Sequence, residues 1–307
     1  VSFDINDWKH MRERGRSEWQ IVWSACHELS HFHDLQAAPE EMLANFEYLE
    51  RRAAELEPRA VEILTRRWGS VPAHLTREVI VDKKRGKKMT ALQVFLYKKI
   101  HLLYNSLDDM YVNGTIGNRT AVFRRGGSQE PEVGRLYRDY LFPTDPKARG
   151  EPPEPMQAAD YTGIPKSSQF AYALLRRRMV PNQEILVHAD VRAALDGAND
   201  AIAARVGLTR EREVTEIITN PANRKTERPG WRYDRIRRTV EPTFIAFLME
   251  DLETLPPPPP PQDGDDSGDG EGEGEPGDGV PSEAPPKPGD GESKPGDEKP
   301  EQGKPGQ

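Results

Sequence analysis

The chain has 307 residues, a formal net charge of −8 and 35% hydrophobic residues. One cysteine, Cys26, excludes an internal disulfide and fits a reducing compartment. No secretory leader or membrane span is legible, so a soluble, cytoplasmic protein without a membrane partner is expected.

The charge is unevenly spread. Residues 256–307 open with six Pro and hold 14 of the 28 Pro, 14 acidic residues and four Lys, a net charge of −10 that leaves residues 1–255 near +2. The tail has no aromatic residue and is expected to be disordered, because it cannot bury a core. The body, 1–255, is long enough for one large domain or two small ones. A near-neutral body with an acidic tail argues against a nucleic-acid partner.

In chain order, residues 1–16 are polar, with Phe3, Ile5, Trp8 and Met11 expected to pack across an edge of the fold. Ser17 then reads as the cap of an amphipathic helix, on which Trp19, Val22, Cys26 and Leu29 recur at helical spacing with Ile21 and Ala25 alongside. This helix carries His27-Glu28-Leu29-Ser30-His31. Two His four residues apart share one helix face and can hold one metal, while the Glu between them is placed to act as a general base on a metal-bound water. The competing reading makes His27 and His31 ordinary helix residues. His33 points to a different side and is expected at the surface.

The helix is expected to end near Leu35, and Pro39-Glu40-Glu41 reads as the first turn of the next. That helix carries Met42, Phe46, Leu49, Ala53 and Leu56. Pro58 is expected to break it before a third segment, which runs through Val61 and Leu64 to Trp68 and stops at Gly69. Val79-Ile80-Val81 reads as a short strand. The basic run after it, Lys83 to Lys88, is confined to one turn and reads as a solvated loop.

A second clear helix is expected from Thr90 to Met110, with Leu92, Phe95, Leu96, Lys99, Leu103, Leu107 and Met110 along its stripe. Its end holds Asp108 and Asp109, two carboxylates among apolar residues, a costly arrangement unless a metal or hydrogen-bond donors relieve it. A zinc site that keeps an open position needs three protein ligands. His27 and His31 supply two, and Asp108 or Asp109 is the candidate third. His101, His74 and a lesser candidate, His188, are the remaining choices. Asp108 shares a face with Tyr104 and Val112, and Asp109 with Asn105 and Asn113. The carboxylate left off the metal is free to orient His27 or His31.

Residues 114–160 read as a long excursion with one apolar island, Leu136 to Phe142, and as a source of a Tyr or Arg for oxyanion stabilisation. Asn113-Gly114-Thr115 and Asn118-Arg119-Thr120 match the glycosylation pattern by coincidence. Helices are expected over Ser167–Met179, from His188 or Asp190 through Ile202, over Thr209–Thr219, and as one final segment from Trp231 to Leu255. Ile185-Leu186-Val187 reads as a short strand or a lead into the helix after it. The fold class is therefore mostly α, with α+β possible; no repeat, Rossmann fingerprint or P-loop is present.

The helix with His27-Glu28-Leu29-Ser30-His31, followed downstream by Leu103-Tyr104-Asn105-Ser106-Leu107-Asp108-Asp109-Met110-Tyr111-Val112-Asn113, resembles the predicted zinc metallopeptidase-like domains of bacteria. Some of these are encoded with, or fused to, von Willebrand factor A domains and MoxR-type AAA ATPases. The resemblance covers about residues 15 to 115. It implies a zincin-like helical metallopeptidase core with Zn²⁺ on His27, His31 and Asp108 or Asp109, Glu28 as the catalytic base, and a peptide or protein substrate. It further implies an ATPase or a von Willebrand factor A protein as partner. The sequence departs from that pattern by ending in an acidic tail with no von Willebrand domain. The alternative is a catalytically inactive metal-binding or scaffold protein, with the run Pro256 to Pro261 as a recognition segment.

Overall fold

Two helices open on reciprocal caps, and these two later carry the candidate ligands. Ser17 Oγ accepts from Gln20 N while the Gln20 side chain accepts from Ser17 N, starting α1 (Glu18–Ala37). Thr90 and Gln93 repeat the arrangement at the start of α4 (Ala91–Arg119).

The computed structural model describes residue 12 and residues 15–82, 86–124, 126–137, 158–180, 183–196 and 228–256. All belong to residues 1–267, the larger of two units into which the chain divides. The expected edge residues Phe3 to Met11, the helix over Thr209–Thr219 and the acidic tail beyond Pro256 lie outside the described residues, as does the basic tip at 83–85.

Between α1 and α4 come α2 (Pro39–Trp68), the short α3 (Ala73–Thr76), and the strands β1 (Glu78–Asp82) and β2 (Lys87–Thr90), which pair antiparallel. After α4 follow α5 (Glu130–Arg135), β3 (Ala159–Asp160), α6 (Lys166–Met179), β4 (Ile185–Leu186), α7 (residues 189–196), α8 (Pro229–Thr239) and α9 (Glu241–Thr254). β3 and β4 pair in parallel over two residues each. The described residues are thus mostly α-helical, and no described helix is long and apolar enough to cross a membrane.

Helix α4 sits at the centre and packs against α1, α2, α6, α8 and α9. It is accordingly buried nearly all round in its second half, where Leu103, Tyr104, Leu107, Met110, Tyr111 and Val112 join the core. Ile100, fully buried, replaces the expected Lys99 and Phe95 on the inner stripe. The helix also runs on past Met110 to Arg119, because neighbours on several sides make the Asn113-Gly114-Thr115 stretch part of the packed helix.

Three other expectations are corrected. Pro58 does not break α2, which is continuous over 30 residues. Pro58 and Ala54 are both exposed, so the Ala54 carbonyl that loses its helical hydrogen bond is not sealed in the core. The segment after Trp231 is two helices, because Pro242 stands in the first turn of α9 and Val240 forms the joint. The third concerns α1. Trp19 and Leu29 of the expected apolar stripe are exposed at 43% and 62%, whereas Gln20, Ile21 and Trp23 are buried. The inner face of α1 runs through Gln20, Trp23, His27, His31 and Asp34, and leaves Leu29, Phe32 and Leu35 outside. Polar partners on α4, α5 and α8 add to the burial of Ile21 and Trp23 in deciding which face turns inward.

Candidate metal centre

His27 and His31 occupy successive turns of α1 and face the second half of α4. Their Nε2 atoms are 3.2 Å apart. Asp109 Oδ1, from α4, stands 3.1 Å from His31 Nε2 and 3.4 Å from His27 Nε2. These three form the metal-compatible cluster among the described residues. The triangle is nearly equilateral. A tetrahedral ion with ligand bonds of about 2.0–2.1 Å requires donors about 3.3–3.4 Å apart, so two imidazoles and one carboxylate fit Zn²⁺ in composition and in spacing. The side chains of His27, His31 and Asp109 retain 16%, 22% and 13% exposure, so the triangle lies near the surface but mostly covered.

Each imidazole is oriented through its other nitrogen. His27 Nδ1 is 2.8 Å from Asn113 Oδ1, one turn beyond Asp109 on α4, so Nδ1–H donates to the amide and, in the neutral ring, the lone pair is on Nε2. Asn113 Nδ2 in turn donates to the hydroxyl of the buried Tyr137. On the other side, Asp108 Oδ2 is 3.5 Å from His31 Nδ1. Asp108 therefore lies outside the triangle and faces the opposite ring nitrogen from the one Asp109 faces. Asp108 Oδ1 also accepts from Arg232 Nε at 3.1 Å and Nη2 at 2.9 Å, and Asp109 Oδ2 is 3.5 Å from Asn105 Nδ2.

The electrostatics follow from this crowding. Burial opposes protonation of His31, but the hydrogen bonds and charges of Asp108 and Asp109 outweigh it and hold its pKa at about 10. His27 is raised in the same way: burial opposes, and the bond to Asp109 prevails. Burial alone would raise Asp108, yet Arg232 and His31 hold its carboxyl well below the usual range. The Asp108 and Asp109 carboxylates thus favour the protonated form of the imidazoles that face them.

Glu28 is half buried on α1. Its charge is felt at the Tyr137 hydroxyl, whose pKa is raised first by burial and then by Asp109, with Glu28 adding to the effect. Tyr137 lies in the 114–142 region, where a Tyr or Arg is expected to stabilise an oxyanion, but its hydroxyl is bonded to Asn113. The other candidate ligands stand apart. His101 stacks against Phe46 and Tyr97 at 6.2 and 5.7 Å between ring centroids, His188 is 3.5 Å from Asp190, and His74 and His33 are exposed. Asn113, in the glycosylation-like triplet, is buried against His27.

Sequence reasoning missed the roles of Asp34, Tyr137 and Arg232. Asp34 had a signal, since it lies three residues after His31 on the same helix face. Arg232 had none, being more than 120 residues from its partner Asp108. Comparison of the chain with protein-family models, curated proteins and solved structures gives no match.

Proposed function

We propose that this chain is a zinc-binding protein whose ion is held by His27, His31 and Asp109. The observation that carries the reading is the triangle of donors with edges of 3.1 to 3.4 Å. Two nitrogen donors favour zinc over magnesium or calcium, which take oxygen ligands. Asn113 and Asp108 orient the two imidazoles so that both Nε2 atoms converge on Asp109 Oδ1. In this reading the protein is a metal-binding or scaffold protein. The apolar residues Leu29, Phe32 and Leu35, exposed on the ligand-bearing helix, are compatible with a protein partner, for which the resemblance suggests an ATPase or a von Willebrand factor A protein.

A second reading is a zincin-like metallopeptidase. It is favoured by Glu28, which follows His27 and whose charge reaches the Tyr137 hydroxyl bonded to Asn113. A bound Zn²⁺ would supply Lewis acidity toward a peptide carbonyl. Glu28 would accept the proton of the attacking water and deliver it to the leaving amine. Tyr137, kept protonated by burial and by the Asp109 charge, would hold Asn113 and through it His27.

Elemental analysis of the purified full chain tests the first reading. About one zinc per chain, lost in His27→Ala and in Asp109→Asn, is the expected result. No metal in folded wild-type protein rejects it. Glu28→Gln, which retains zinc under both readings, separates them by its effect on hydrolysis. Peptide hydrolysis by the wild type that Glu28→Gln abolishes establishes the peptidase. Zinc without hydrolysis leaves the binding protein.

A further inference from the structure

We infer that Arg232 is a positioning residue of the metal centre, a clamp that joins the two ligand-bearing helices and holds Asp108 against His31. The inference rests on the zinc-binding reading and concerns a residue outside the set of three candidate donors.

The guanidinium is 1% exposed, and its hydrogen bonds diverge to both helices. Nε and Nη2 reach Asp108 Oδ1 on α4 at 3.1 and 2.9 Å, and Nη2 reaches Asp34 Oδ2 on α1 at 2.7 Å. Asp34 lies one turn after His31, and Asp108 immediately precedes Asp109. One cation therefore bridges α1 and α4 beside the place where the 3.1 Å separation of His31 and Asp109 must be kept. The guanidinium carbon also lies 3.8 Å over the Tyr111 ring, so the group is fixed in plane as well as in position.

Charge reinforces the assignment. Asp34, Asp108 and Asp109 bring three carboxylates together, which a divalent ion and Arg232 balance one for one. With Arg232 removed, Asp108 is a buried anion that keeps His31 and Tyr233 as partners among the described residues and still faces the Asp34 charge. It then turns toward His31 and spoils the ring orientation that directs Nε2 at the ion.

The seat of Arg232 is built separately from the centre. Gly230 N donates to Glu41 Oε2 of α2 at 2.7 Å, and Arg228 pairs with the same carboxylate. A Cβ at Gly230 would meet that oxygen at 2.9 Å, so a larger residue there would displace the Glu41 carboxylate. Metal affinity in the N-terminal helices thus depends on a residue delivered from near the other end of the body.

The test measures Zn²⁺ and Co²⁺ affinity of the full chain by chelator competition, with the Co²⁺ absorption spectrum and thermal melting of the metal-free protein alongside. Arg232→Met is expected to bind about 10–100-fold more weakly and to change the Co²⁺ spectrum, with Arg232→Lys in between. Arg237→Met is the control for a merely structural loss. Arg237 lies on the same helix, stacks 3.8 Å over Tyr48 and bonds Asn45, and is expected to lower the melting temperature without moving the affinity. Combining Asp108→Asn with Arg232→Met is expected to cost less than the two single losses together, because both act through His31. If Arg232→Met does not fold, Arg232→Lys and Asp34→Asn take its place. Wild-type affinity and spectrum in Arg232→Met, or in both replacements, overturns the inference while leaving the zinc reading intact. A wild type that binds neither metal overturns both.

Discussion

Asp108 and Asp109, neighbours in the chain, face opposite nitrogens of one imidazole. Asp109 Oδ1 is 3.1 Å from Nε2 of His31, and Asp108 Oδ2 is 3.5 Å from Nδ1 of the same ring. Successive side chains on a helix diverge by about 100°, and His31 projects into the gap between them. One carboxylate is thereby placed to share an ion with the imidazole, and the other to aim it.

The two acidic residues should consequently fail in different ways. Asp109→Asn is expected to abolish stoichiometric zinc, because a neutral amide replaces one of three donors. Asp108→Asn is expected to keep about one zinc per chain but to bind it about 10–100-fold more weakly. Metal analysis combined with chelator competition distinguishes these outcomes, and equal loss of stoichiometry in both variants would contradict the geometry.

Asn113 should matter through His27. Asn113→Leu leaves the His27 Nδ1–H facing a hydrocarbon and removes the donor to Tyr137. A loss of about 1–3 kcal/mol of stability and about 10–100-fold in zinc affinity is expected. Asn113→Asp restores an acceptor for His27 and is expected to recover most of the metal binding. Denaturant titration and competition binding on the two variants provide the check.

Pro58 offers a test of the long helix α2. In an exposed helix interior proline costs about 3 kcal/mol, and its replacement forfeits roughly 0.4–1 kcal/mol of restriction on the unfolded chain. Because Pro58 is exposed, a restored N–H can bond Ala54 O without a clash. Pro58→Ala is therefore expected to stabilise the protein by about 2 kcal/mol, read as a higher denaturant midpoint with an unchanged slope. Destabilisation would mean that the ring makes a contact α2 depends on.

The pH dependence at the alkaline end should report on Glu241. Tyr48 donates to Glu241 Oε1 and Oε2 at 2.8 and 2.9 Å, and burial together with that carboxylate pushes its pKa up to about 12. The folded state thus holds a proton that the unfolded chain releases near pH 10. The stability from this bond is complete below pH 10 and is lost as pH rises toward 12. Tyr48→Phe is expected to be less stable than wild type at pH 8, with the difference narrowing between pH 10 and pH 12. Unfolding midpoints measured across that range decide it. A difference that widens with pH would reverse the sign.

Much of this arrangement was legible in the chain by itself, because it is local. The Ser17 and Thr90 caps, the one-turn spacing of His27 and His31, the strand at Val79-Ile80-Val81 and the stop at Gly69 each depend on residues within a few positions of one another. Pattern also narrowed the acidic residues to a pair and paired Asp109 with Asn105 and Asn113 on one face. It misjudged the ends of the α1 stripe: Val22, Cys26 and Ile21 do pack on or within the core, but Trp19 and Leu29 are exposed, while hydrogen-bond partners on α4 and α8 hold His27, His31 and Asp34 inward. Only the tertiary structure decided which carboxylate meets Nε2, because that depends on the rotation of α4 against α1, which no local sequence encodes. For the same reason it alone revealed Arg232, whose bond to Asp108 joins residues 124 positions apart. The helices are properties of neighbouring residues, whereas the centre is a property of how three of those helices are set against one another.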